Sequence, residues 1–292
     1  LTLFHFSGSP KRAELLHAYQ QIAGHEDVLM IGSSRVQSGI IAQEAGPALV
    51  RALGRPLRFH QLGLAGLRPT LLADVLASAV LDRPPRRLLV IAIEERFFCR
   101  PEGESGEWES DVGRRRHVWW LRGVSAIFDL PQFVDPALET SAAQIAALGG
   151  DRFTVANLER RLRWAGQERS DKQDLFDLAD GVTWHWTDPD EPDALGWQRC
   201  LRLLSKLDCP ILFVKMPVQP GFEARYMPAM QARFEAEILA EISSRGWEYV
   251  ALQGPPWPSE PESFIGQTHL DFAGARRTTR LLVEQILVPR LR

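Results

Sequence analysis

Cysteine is scarce in this chain, and the scarcity narrows the possibilities at once. Cys99, Cys200 and Cys209 are the only three in 292 residues. An odd number without the paired short spacing of a zinc site suggests neither a disulfide framework nor a structural metal. Basic residues are not in excess either: 34 Lys and Arg against 37 Asp and Glu give a net charge of -3. The chain therefore lacks the cationic footprint that nucleic-acid backbones or anionic membranes attract, and no nucleic-acid partner is expected. No apolar run approaches the roughly 18 residues of a membrane span, and no charged-then-apolar signal segment opens the sequence. A longer Gly-rich phosphate signature is also missing around Gly32-Ser33-Ser34, which ranks a nucleotide binder last. The first residue is Leu1 rather than Met, which is consistent with an upstream targeting or anchoring segment outside this sequence.

What is present is enough apolar material for a substantial core, at 45% of the residues, and the chain reads as one domain over residues 1–292. The run Val28-Leu29-Met30-Ile31 is a short buried strand, stopped by Gly32-Ser33-Ser34 and followed by a helical stretch toward Leu53. Leu57 to Gln61 reads as a second strand, and Pro69 suits the first turn of a helix running to about Leu81. Arg87 to Ile93 is nearly all apolar, as a central parallel strand buried on both faces should be, and it ends in Glu94-Glu95-Arg96. From about residue 99 to 190 the alternation fails, and a charged, Trp-rich, helical insertion is expected. It returns with a helix near Asp193 to Leu207, the strand Ile211 to Lys215, a helix from about Ala224 to Arg245, the strand Trp247 to Leu252 and a last helix. Strands alternating with helices predict an α/β, three-layer, doubly wound (flavodoxin-like) sandwich around a parallel sheet, with ligands bound outside the carboxyl ends of the strands.

Two residues at those ends can be organised into chemistry. Ser34 follows a buried strand and opens a helix, where free N–H groups favour developing negative charge. Serine is a weak nucleophile unless a base takes its proton, and no histidine lies close in sequence. His269, after a Pro-rich loop and before the last helix, is the best candidate for that base. Most of the tryptophans, Trp108, Trp119, Trp120, Trp164, Trp184, Trp186 and Trp197, fall in or beside the insertion, where core packing is favoured over stacking on sugars. Arg114-Arg115-Arg116 reads as a solvated helix face, and His60 and His185 as packed residues.

These blocks resemble the SGNH (GDSL-like) hydrolases, and within them the branch that transfers acyl groups on cell-surface polysaccharides and teichoic acids. Ile31-Gly32-Ser33-Ser34-Arg35-Val36 is similar to the nucleophile block and assigns the nucleophile to Ser34. His269-Leu270-Asp271-Phe272-Ala273-Gly274 resembles the closing block with its catalytic histidine. Gln61-Leu62-Gly63-Leu64-Ala65-Gly66 looks like the second block, whose last glycine, here Gly66, donates a backbone N–H to the oxyanion beside that of Ser34. The resemblance implies an esterase or O-acyltransferase that handles acyl groups of a carbohydrate or cell-surface polymer through an acyl-serine, without a cofactor or metal. It further implies a bacterial, extracytoplasmic protein, N-terminally anchored and supplied by a membrane-embedded acyl-donor protein.

The sequence departs from that pattern twice. Gly266 stands three residues before His269, where the family carries the aspartate that orients the histidine. Glu94 stands where an asparagine side chain would complete the oxyanion hole, and an anionic group cannot stabilise an oxyanion. Glu94, Glu95, Gln267, Asp271 or a backbone carbonyl are candidates to hold His269 in its productive tautomer, with Gln61 beside the site. The alternative is a catalytically inactive SGNH-like domain that binds a glycan or a partner protein with the same pocket.

Overall fold

The computed structural model describes residues 24–64, 66–101, 184–220, 222, 228–265 and 267–292. Residues 102–183, which hold most of the expected insertion with Trp108, Trp119, Trp120, Trp164 and the Arg114 to Arg116 run, lie outside the described residues, as does Gly266.

Five strands form one parallel sheet: β1 (Val28–Gly32), β2 (Phe59–Gly63), β3 (Leu88–Ala92), β6 (Ile211–Lys215) and β7 (Glu248–Ala251), in the order β2-β1-β3-β6-β7. The three central strands are buried at every position. Their continuous apolar text follows from burial on both faces, because helices cover the sheet on each side. On one face Leu29, Ile31, Leu89, Ile91 and Phe213 pack against α3 (Pro69–Val75, continuing through Leu76–Val80), α4 (Pro192–Leu204) and α5 (Pro228–Arg233, continuing through Phe234–Leu239 and Ala240–Ser244). On the other, Val28, Met30, Leu88, Val90, Leu212 and Val214 meet α1 (Ser34–Gly39), α2 (Ala42–Leu53) and α6 (Phe272–Leu281, continuing through Leu282–Leu287 and Val288–Leu291). The result is the three-layer α/β sandwich that the alternation predicts.

The chain runs from β1 outward to β2, then crosses back to β3 and continues away through β6 and β7. The order reverses between β1 and β3, so the loops after these two strands part at their carboxyl ends, the place where ligands bind in sheets of this kind. Ser33-Ser34 and Glu94-Glu95 leave the sheet there.

Two small antiparallel pairs escape sequence reading. β4 (Cys99–Pro101) pairs with β5 (Trp184–Trp186), so the chain leaves toward residue 102 and returns at 184 through one ribbon. β8 (Phe264–Ile265) pairs with β9 (His269–Leu270) in a hairpin that presents His269. The expected single helix from Ser34 to Leu53 is in fact two. Ile40 is extended, at φ -126° and ψ 133°, and the Ile41 N–H is bound by Thr279 Oγ1 of α6 at 2.9 Å instead of by a helical carbonyl. Trp186 and Trp197 are core residues: Phe98 stacks on Trp186 with centroids 5.6 Å apart and meets the edge of Trp197 at 5.2 Å. Among the described residues no helix is long and apolar enough to cross a membrane.

The turn after β1 is tight enough to demand glycine at its first position. A Cβ on Gly32 would stand 2.2 Å from Val36 Cγ2 and 2.9 Å from Ala92 Cβ, so α1 and β3 can approach only because that atom is missing. Gly32→Ala is expected to cost about 1–3 kcal/mol, the usual range for overpacking, read as a lower midpoint in urea denaturation. An unchanged midpoint would contradict this account of the turn.

Candidate active site

Ser33 caps α1: its side chain accepts the Arg35 N–H at 3.3 Å, which leaves Ser34 as the first helical residue, where those loops part. Ser34 Oγ lies 2.8 Å from His269 Nε2, across 235 residues of sequence. The two residues proposed from sequence as nucleophile and base are thus in hydrogen-bond contact. His269 Nδ1 lies 3.0 Å from Thr268 Oγ1. Burial lowers the His269 pKa to about 3, and the positive charges of Arg35 and Arg96 push it the same way. The ring is therefore neutral at ordinary pH, the state in which a histidine can accept a proton.

The other residues expected beside the site hold other parts of this assembly. Glu94 is not aimed at the His269 ring; it grips both neighbours of Ser34. One carboxylate oxygen accepts the Ser33 hydroxyl at 3.2 Å and the other forms an ion pair with Arg35, whose side chain is 5% exposed. The guanidinium also lies 5.9 Å from the centroid of the Phe222 ring. Glu95 forms a buried ion pair with Lys215 at the end of β6. Gln61 donates from Nε2 to the Val36 carbonyl at 2.5 Å and so braces α1 from β2. Asp271 caps α6, accepting the Gly274 N–H at 2.6 Å. The Gln267 carbonyl accepts the Gln219 N–H at 3.0 Å, which ties the His269 hairpin to the segment after β6. Thr268 stands at Nδ1; neither it nor the pairing role of Arg35 was expected from the sequence. A hydroxyl directly before the histidine was the available signal for the first, and an arginine directly after Ser34 for the second.

Gly66 lies in the loop after β2 with φ +66°, a backbone state that side chains disfavour. That loop begins beside the turn that carries Ser34, because the Leu64 N–H donates to the Gly32 carbonyl at 2.7 Å. Among the described residues no group of three or more His, Cys, Asp or Glu side chains stands together as metal ligands do. Cys99 is buried, its thiol donating to the Glu95 carbonyl at 3.1 Å, and burial raises its pKa to about 12, so it is inert as a nucleophile. His60 is packed, as expected, with its pKa lowered by burial to about 4.

Comparison with family models gives no match, and comparison with curated proteins gives none. Among solved structures the chain is similar to a Streptococcus pneumonia protein provisionally named a platelet activating factor, at 12% identity over 93% of this chain and 90% of that one, with a TM-score of 0.39.

The two lowered histidines imply an acid-sensitive fold. An unfolded histidine binds its proton near pH ~6.5, whereas His60 and His269 stay neutral in the fold down to about 4 and about 3. Below pH ~6.5 the unfolded chain therefore holds more protons, and stability falls with pH until the folded rings also titrate. Melting temperature measured between pH 7 and 4 should decline less steeply in His60→Gln and in His269→Gln than in the wild type. Equal slopes in all three proteins would contradict the burial of neutral rings.

Proposed function

We propose that this chain is an SGNH-like serine esterase or O-acyltransferase, acting on acyl groups of a carbohydrate or cell-surface polymer. The observation that carries the reading is the 2.8 Å contact between Ser34 Oγ and His269 Nε2 at the topological switch point of a doubly wound sheet. In the reaction His269 Nε2 takes the Ser34 proton as the oxygen attacks the acyl carbonyl. Negative charge then develops on the carbonyl oxygen, and the backbone N–H groups of Ser34 and Gly66 are the donors assigned to it. The protonated His269 next gives its proton to the departing hydroxyl, leaving an acyl-Ser34. Water or an acceptor hydroxyl, giving its proton to the same Nε2, attacks that ester; the Ser34 oxygen leaves the carbonyl carbon and takes the proton back from Nε2. The chemistry of the carbonyl is complete without a cofactor.

The polymer substrate, the membrane-embedded acyl donor and an extracytoplasmic, anchored location belong to the same proposal, and they are supported by the block resemblance around Ser34, Gly66 and His269. A second reading is favoured by one specific feature. A histidine with its pKa lowered to about 3 is a weak base, and catalytic efficiency falls as the pKa of the base leaves the operating pH. On that reading the same site binds a glycan or a partner protein without turnover.

Covalent labelling by a serine-directed fluorophosphonate separates the two. The acyl-transfer reading expects labelling at Ser34 that is abolished in Ser34→Ala and slowed about 10²–10⁴-fold in His269→Ala, the usual contribution of a general base. Absence of wild-type labelling together with measurable glycan binding would select the binding module.

A further inference from the structure

We propose that Thr268 is the positioning residue for His269, its side-chain hydroxyl standing in for the carboxylate that the sequence lacks at Gly266. The inference rests on the reading of Ser34 and His269 as nucleophile and base. For Nε2 to accept a proton, the ring's hydrogen must reside on Nδ1, and an acceptor must hold it there. Thr268 Oγ1 lies 3.0 Å from Nδ1 and is in the right place to be that acceptor.

The hydroxyl is held still from several directions. Thr268 is 1% exposed, so water does not compete for the ring at that side. The carbonyl of Gln267 is fixed to the Gln219 N–H, while His269 pairs with Ile265 in the β8–β9 hairpin. Residue 268 is thus pinned on both sides by backbone contacts, and a β-branched side chain has few rotamers to explore.

A hydroxyl is a neutral acceptor, and that distinguishes it from an aspartate. In the accepting role proposed here it holds the hydrogen on Nδ1 and fixes the orientation of the ring, yet adds no negative charge of its own beside the imidazolium that forms during catalysis. Orientation and charge stabilisation, which one aspartate supplies together in the usual triad, are separable here: Thr268 supplies the first and, being neutral, not the second. Among the described residues, Arg35 and Arg96 place positive charge near the ring and help to keep it neutral.

The test uses the full chain, with ¹⁵N-labelled histidine, in wild type, Thr268→Val and Thr268→Ser. Valine keeps the shape and removes the acceptor; serine keeps the acceptor. The ¹⁵N shifts of His269 at neutral pH should show hydrogen on Nδ1 in the wild type and in Thr268→Ser, and a shift toward Nε2–H in Thr268→Val. With p-nitrophenyl acetate as the probe, kcat should fall at least about tenfold in Thr268→Val with KM little changed, within the ~10⁴ ceiling seen when a triad loses its orienting group. Recovery in Thr268→Ser would support the inference, because packing alone predicts no such tautomer signature. Unchanged ¹⁵N shifts and unchanged kcat in Thr268→Val would overturn it. If the wild-type serine proves unreactive while the tautomer still follows residue 268, the acyl-transfer reading falls and the positioning role stands.

Discussion

A carboxylate taken out of water at the parting of β1 and β3 is the constraint on which the site depends. Burying a charge costs several kcal/mol unless it is paired and hydrogen-bonded, and Glu94 meets that cost with Arg35 on one side and the Ser33 hydroxyl on the other. Those two partners flank Ser34. The electrostatic requirement of one residue thereby becomes the geometric restraint on another. The neighbouring Glu95 repeats the device in the opposite direction, with Lys215 at the end of β6. Two adjacent acids on one loop thus bind cations from either side, Arg35 on the helix after β1 and Lys215 at the end of β6, and the carboxyl ends of β1, β3 and β6 are laced by charge. Removal of either Glu94 or Arg35 would leave its partner buried and uncompensated, which is why neither can be regarded as a surface decoration.

The other half of the site is brought in from the far end of the chain. His269 sits in a two-residue strand, too short to be stable alone, and its position is set by what surrounds it. Asp271 caps the helix that follows, the Asp271 N–H donates to the Ser263 carbonyl at 2.9 Å, and Thr279 on that helix binds the Ile41 N–H between α1 and α2. The last bond is what breaks the helical run after Ser34, so the same contact that docks α6 also shortens α1 to a single turn and a half. Ser34 and His269 are therefore positioned by a shared set of packing contacts and not by two independent loops.

Much of this was legible in the residues. The runs at Val28, Leu88 and Ile211 are apolar without alternation, a pattern that strands covered on both faces sustain, and these three occupy the centre of the sheet. Ser34, His269 and their convergence were likewise readable, because a serine after a strand and a histidine before a helix both fall on the same edge of a parallel sheet. Glu94 was legible as a site residue but not in its role. Its identity as an acid is local, whereas its partner is fixed only by the register of β1 against β3, and that register is tertiary information. The β4–β5 and β8–β9 pairs were missed for a related reason: two or three residues carry no periodicity, and their pairing is specified by distant contacts. Thr268 was hidden by the expectation that a histidine is oriented by a carboxylate.

The chemistry we propose is acyl transfer by Ser34 with His269 as its base, beside the two buried ion pairs Arg35–Glu94 and Lys215–Glu95. Its most direct measurement is the mass of the protein after brief reaction with p-nitrophenyl acetate and acid quenching. The account predicts a single acetyl group on the peptide containing Ser34, formed with release of p-nitrophenol and lost on further incubation at neutral pH. An unmodified Ser34 peptide, or an acetyl group distributed over lysines with Ser34 untouched, would contradict it.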